Sequence, residues 1–176
     1  MTALEKEYGD AIYALATEEN CVDDVLEGLE LAVEVFGDNP GYLTLVQNPA
    51  LPKEERLGLL DQAFQGVHQY VLHLLKLLCE RSALGLTAGC LEQFRALVYA
   101  QRGILPVEVI SAVPLTDAQR EALVQKLSAK TGKTIELHPK LDPSVLGGVK
   151  LRYEGRELDG TAAGRLDALR HLLTQS

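Results

Sequence analysis

A chain of 176 residues, 47% apolar and 24% charged, holds enough material for one ordinary domain or two small ones around packed cores. Its formal charge of −8 excludes a general nucleic-acid binder, which needs clustered Lys and Arg, and no apolar run reaches the roughly 18 to 20 residues that span a bilayer. Cys21, Cys79 and Cys90 are too widely spaced for a disulfide framework or a metal knuckle and read as buried reduced thiols.

The first hundred residues read as helix after helix. Thr2 and Glu5 fit a capping box ahead of Leu4, Tyr8, Ala11, Ile12 and Leu15 at helical spacing, and the opening "MTALEKEYGD" lacks the basic and apolar regions of a signal peptide. A second run places Val22, Val25, Leu26, Leu29, Ala32, Val33 and Phe36 on one face until "GDNPG" stops it. "YLTLVQNP" predicts a short helical turn, and "PKEERLGLLDQAF" a further helix with Pro52 and acids at its start. The most apolar stretch, "VHQYVLHLLKLLCERSAL", predicts a central helix, and "TAGCLEQFRALVYAQRG" a last long one ending at Gly103. Five long helices and one short one result.

After Gly103 the character changes. "ILPVEVISAV" is β-branched and alternating, and predicts a strand; Thr116 and Gln119 in "TDAQ" form a second capping box, opening a helix that ends at Gly132. "TIELHPKL" predicts another strand, ended by Pro139. In "GGVKLRYEGRELDG" Val149, Leu151 and Tyr153 share one face, Lys150, Arg152 and Glu154 the other, with Gly155 at a hairpin turn. Asp159, Gly160 and Thr161 lead into a terminal helix with Leu166, Leu169, Leu172 and Leu173 on one side. Charge divides with character: residues 1–105 carry 7 Lys/Arg against 16 Asp/Glu, residues 106–176 carry 10 against 9. Two domains with different partners are expected.

Sites of chemistry are scarce. Glu18, Glu19, Asp23 and Asp24 read as a solvated face; His68 and His73 stand about 140° apart around a helix and cannot jointly hold a metal. No nucleophile elbow, Walker loop or dinucleotide fingerprint is present. The paired glycines Gly147 and Gly148 precede a strand, so they favour a bend or bulge over a phosphate nest, which would need them to open a helix. Lys150, Arg152, Arg156 and Arg165 could dock an acidic helix, but the interleaved Glu154, Glu157 and Asp159 favour a solvated face.

The order of motifs resembles the delta subunit of F-type ATP synthases, related to the mitochondrial oligomycin-sensitivity-conferring protein. The resemblance runs through "YGDAIYALA", "NPALPKEER", "LLKLLCERSAL" and "VEVISAVPLTDAQREAL" to "LDPSVLGGVKLRYEGRELDGTAAGRL", where Asp142, Gly147, Gly148, Asp159 and Gly160 mark a structural motif. "ERSAL" replaces the family's frequent "ENGRL", and Thr161 its frequent Ser. The resemblance implies a mainly α fold with a small α/β part. A six-helix bundle over residues 1–105 would dock the alpha subunit, and a C-terminal domain over 106–176, with a β-sheet or hairpin and two helices, would dock subunit b of the peripheral stalk.

The implied role is a non-catalytic stator subunit of a proton-translocating synthase, without cofactor or metal, that resists rotor torque. It would lie peripherally on the cytoplasmic face of a bacterial membrane without inserting into it. An amphipathic N-terminal helix of the alpha subunit would enter a groove between helices one and five. Tyr8, Ala11 and Leu77 are placed there by matching family contexts, and Ile12, Leu74 and Leu78 by helical spacing. Two other readings stay open: an unrelated adaptor for amphipathic helices, and a small enzyme holding a phosphorylated ligand at Gly147 and Gly148.

Overall fold

The computed structural model describes residues 2–145 and 147–160. The chain is mainly helical with one small sheet, and divides into two compact units, Met1–Val98 and Tyr99–Ser176. In chain order the elements are α1 (Ala3–Glu18), α2 (Val22–Asp38), α3 (Pro40–Gln47), α4 (Lys53–Ala63), α5 (Gln69–Glu80), a 3-10 turn (Leu84–Leu86), α6 (Thr87–Arg102), β1 (Ile104–Ser111), α7 (Asp117–Thr131), β2 (Thr134–Leu141), β3 (Val149–Tyr153) and β4 (Arg156–Asp159). The terminal helix expected from Thr161 onward, with Arg165, lies outside the described residues.

In the first unit the core is built from one face of each helix. Ile12, Ala16, Val25, Leu29, Leu60, Val71, Leu75, Leu78 and Phe94 are buried together. Phe36 meets Phe64 edge to face at 5.5 Å, and Tyr13 meets Phe94 the same way at 5.5 Å, the arrangement ring quadrupoles favour. Two glycines set helix spacing. A Cβ at Gly9 would stand 2.6 Å from the Gln93 side chain of α6, and one at Gly28 would stand 2.8 Å from Val67, beside α5. Gln93 Nε2 donates to Asp10 Oδ1 at 2.6 Å, fixing α1 along α6 beside that close approach.

The local signals act as capping physics requires. Thr2 and Glu5 close a capping box on α1, and Thr116 and Gln119 close another on α7. Asn39 alone separates α2 from α3, with Pro40 at the first position of α3, where its missing N–H costs nothing. His68 caps α5: its Nδ1 accepts from Tyr70 N–H at 3.3 Å, a role its sequence position does not announce. Cys79 and Cys90 are buried thiols, burial pushing the second up to about 11, but Cys21, expected buried, is only half-buried: as the N-cap of α2 it packs at the margin of the core.

In the second unit the strand order is β2-β1-β3-β4, with β1 and β2 parallel through α7 and the other pairs antiparallel. Leu105, Val107, Val109, Ile135 and Leu151 cluster with Leu127 of α7. Pro139 does not end β2, contrary to expectation: the strand runs on to Leu141 with Pro139 opposite Val109. As an edge strand β2 tolerates a residue without an N–H. Glu154 (φ 48°) and Gly155 (φ 72°) both turn left-handed between β3 and β4, the twist a two-residue hairpin needs.

Candidate functional site

α1 buries Gly9, Ile12 and Ala16 on one face, yet its apolar surface continues beside that face. Leu4, Tyr8, Ala11 and Leu15 fall at i, i+4, i+7 and i+11, a second stripe alongside the core face. α5 repeats the pattern, burying Val71, Leu75, Leu78 and Cys79 while Tyr70, His73 and Leu77 form a stripe on its flank. The two stripes meet. Tyr8, Ala11, Ile12 and Leu15 from α1 and Tyr70, His73, Leu74 and Leu77 from α5 line an open concavity of about 290 Å³.

Five of the six residues expected in a groove therefore share one depression: Tyr8, Ala11, Ile12, Leu74 and Leu77. Leu78 does not. It is 0% exposed in the core, one position around α5 from the flank, whereas Leu77 is 39% exposed and Leu15, which was not among the six, is 46% exposed. Ile12 and Leu74 are buried and form the floor, so a partner would meet their edges between the more open Leu15 and Leu77. The lining has no carboxylate, amine or thiol, and among the described residues no cluster of His, Cys, Asp and Glu could hold a metal. Such a surface offers mainly apolar contact, with the His73 imidazole and the Tyr8 and Tyr70 hydroxyls as its polar groups.

A larger depression of about 420 Å³ between α2 and the start of α5 is lined by Asp24, Glu27, Gln65 and His68 as well as Leu31 and Val67. Its mixed polar lining offers no continuous apolar stripe.

The expected structural motif has a definite backbone role. Asp142 accepts from Ser144 N–H at 2.9 Å, and the Ser144 bonds hold its carboxyl below the usual range. Gly147 (φ 66°) and Gly148 (φ 94°) both take left-handed backbone and lead into β3; Gly147 N–H already donates to Val145 O at 3.1 Å. No helix begins there to present amides to an anion. Asp159 ends β4 and faces Lys150 at 3.7 Å, and Gly160 N–H donates to Val149 O at 3.0 Å. A Cβ at Gly160 would stand 3.1 Å from that same oxygen.

Charges on the polar face of the sheet pair across strands. Arg152 joins Glu157 at 2.7 Å and Glu108 at 3.5 Å, and Lys140 reaches the same Glu108 at 3.4 Å. Of the basic residues singled out in sequence, Arg152 is paired in this way and Lys150 is paired with Asp159.

Comparison with known proteins gives one consistent answer. A family model described as ATP synthase delta (OSCP) subunit matches residues 4–173. The chain is 33% identical over 171 residues to the ATP synthase subunit delta of Geobacillus sp. (strain WCH70), covering 97% of this chain and 96% of the relative. It is also 33% identical over 174 residues to the ATP synthase subunit delta of Synechococcus sp. (strain PCC 6716), covering 98% and 95%. Its fold matches a chain in a cryo-EM structure of the Toxoplasma gondii mitochondrial ATP synthase hexamer with a TM-score of 0.75 at 22% identity, over 98% of each chain. With a family model matching residues 4–173 and a 33% identical relative over 97% of its length, the chain belongs to the ATP synthase delta (OSCP) subunit family.

Proposed function

We propose that the chain is the stator subunit of an F-type ATP synthase, a non-catalytic link between the catalytic head and the peripheral stalk that keeps the head from turning with the rotor. The observation that carries this reading is the apolar groove between α1 and α5, whose floor belongs to the core and whose rim, Leu15 and Leu77, the core leaves exposed. In helix-in-groove binding a partner helix lays its i, i+3, i+4 and i+7 apolar anchors into such a cleft, and Tyr8, Leu15, Tyr70 and Leu77 line one here. The N-terminal unit acts as a bundle of six helices that seats the amphipathic N-terminal helix of the alpha subunit. The C-terminal unit meets subunit b. No helix among the described residues is long and apolar enough to cross a membrane, and attachment at the cytoplasmic face of a bacterial membrane runs through these partners.

Binding tests the assignment. A peptide from the alpha subunit's N-terminus should bind the full chain, lose affinity to the Leu15→Asp and Leu77→Asp variants, and leave their melting temperatures nearly unchanged. Failure of the peptide to bind, together with failure of subunit b to capture the chain, overturns the stator reading in favour of an unrelated helical adaptor.

A further inference from the structure

The groove has a distinctive electrostatic end. Seven residues separate Tyr8 from Leu15, so its α1 wall is about 10 Å long at 1.5 Å per residue and accommodates about two turns of a partner helix. At the far end of that wall stand Glu18 and Glu19, both exposed, in the last turn and at the cap of α1. The last turn of α1 holds no basic residue. Carboxylates here face the negative end of the helix dipole, the wrong sign for the isolated protein. α2 opens with Asp23 and Asp24 where acids suit its dipole, so the chain follows the rule at one helix end and breaks it at the adjacent one.

These carboxylates reach the groove. Glu18 and Glu19 follow the groove-lining Leu15 by three and four positions, the next turn of the same side of α1, and their charges, after burial, help to push the Tyr70 hydroxyl above its ordinary range. Glu7 continues the acidic line on the solvent side of the Tyr8 and Leu15 stripe, and neither it, Glu18 nor Glu19 forms an ion pair with a described residue. The one cation of α1, Lys6, stands twelve residues, or more than three turns, before Glu18, and Lys76 of α5 holds Asp61 at 2.6 Å. Unrelieved like charge at the mouth of an apolar groove is a local rule broken without internal compensation, the pattern expected where a partner supplies the missing counter-charge.

We infer that the occupant of this groove is a basic amphipathic helix, whose apolar stripe covers about two turns and whose Lys or Arg side chains, where it leaves the stripe, sit against Glu18 and Glu19. The inference rests on the docking reading above and specifies the partner's chemistry. Charge of this kind steers encounter and fixes how far the helix slides along the groove, which apolar contact alone leaves loose. It also excludes acidic amphipathic helices that would otherwise fit.

Two synthetic helices sharing one apolar stripe, with Lys in the turns flanking it in one and Glu at the same positions in the other, distinguish the possibilities on the full chain. The Lys-flanked peptide should bind about five- to tenfold more tightly, the margin of two partly exposed ion pairs, and the margin should shrink as salt rises. The Glu18→Gln/Glu19→Gln double variant should remove most of it while melting no lower than the parent, since it relieves the dipole conflict. Equal binding of both peptides, or a margin undiminished in the double variant, overturns the inference and leaves the groove standing. Binding of neither peptide overturns the docking reading with it.

Discussion

Adjacent residues on α5 separate structure from recognition. Leu78 is fully buried and Leu77 is 39% exposed, so Leu78→Ala should cost about 2–5 kcal/mol, read by denaturant unfolding, while Leu77→Asp should change stability by no more than about 0.5 kcal/mol and abolish helix binding. Family context placed Leu77 and helical spacing placed Leu78 near a groove, and 100° steps resolve a face but not the boundary between core and flank. That boundary depends on which neighbouring helix occupies the adjacent sector, and Leu15 was missed for the same reason. The thiols divide similarly. Burial raises Cys79 and pushes Cys90 to about 11, so thiolate, the reactive form, is scarce at both, whereas Cys21 is half-buried. A thiol reagent at neutral pH should label Cys21 first, and label Cys79 and Cys90 only at the unfolding rate; rapid labelling of all three in the folded protein would contradict the buried placement.

At the scale of elements, caps and breaks were legible in sequence because they depend on a few consecutive residues. The capping boxes of Thr2 and Thr116, the Asn39–Pro40 break and the hairpin at Gly155 are of this kind. Helix spacing is not local. Nothing near Gly9 in the sequence announces that it faces Gln93 and the Cys90 carbonyl across α6, yet that approach sets where α1 stands and therefore the width of the groove. Gly9→Val should force α1 outward, lowering stability by about 1–3 kcal/mol and weakening helix binding although no groove residue changes. Calorimetry beside peptide titration checks both effects, and unchanged affinity would separate groove width from the α1–α6 approach. Pro139 teaches the complementary lesson: a strand's tolerance for proline depends on whether it lies at an edge, which the pairing β2-β1-β3-β4 decides and the strand's own residues do not.

For the molecule as a whole, the division at Val98 and Tyr99 falls inside α6, short of the change in sequence character after Gly103. Within the second unit the Tyr99 hydroxyl donates to Glu136 of β2 at 2.7 Å. Each unit has its own apolar cluster, as the proposed division of labour between head and stalk requires. Distinct cores allow one recognition surface to be damaged without the other. Gly148, at φ 94°, occupies backbone that an L side chain strains to adopt, and a β-branched residue there is the least tolerated. Gly148→Val should therefore lower the unfolding midpoint of the second unit and its capture of subunit b, and leave binding of an amphipathic helix in the α1–α5 groove unchanged. Circular dichroism melting, subunit b pull-down and peptide titration on one preparation decide it. Loss of peptide affinity in that variant would mean that folding of the sheet supports the groove and that the two units fold as one.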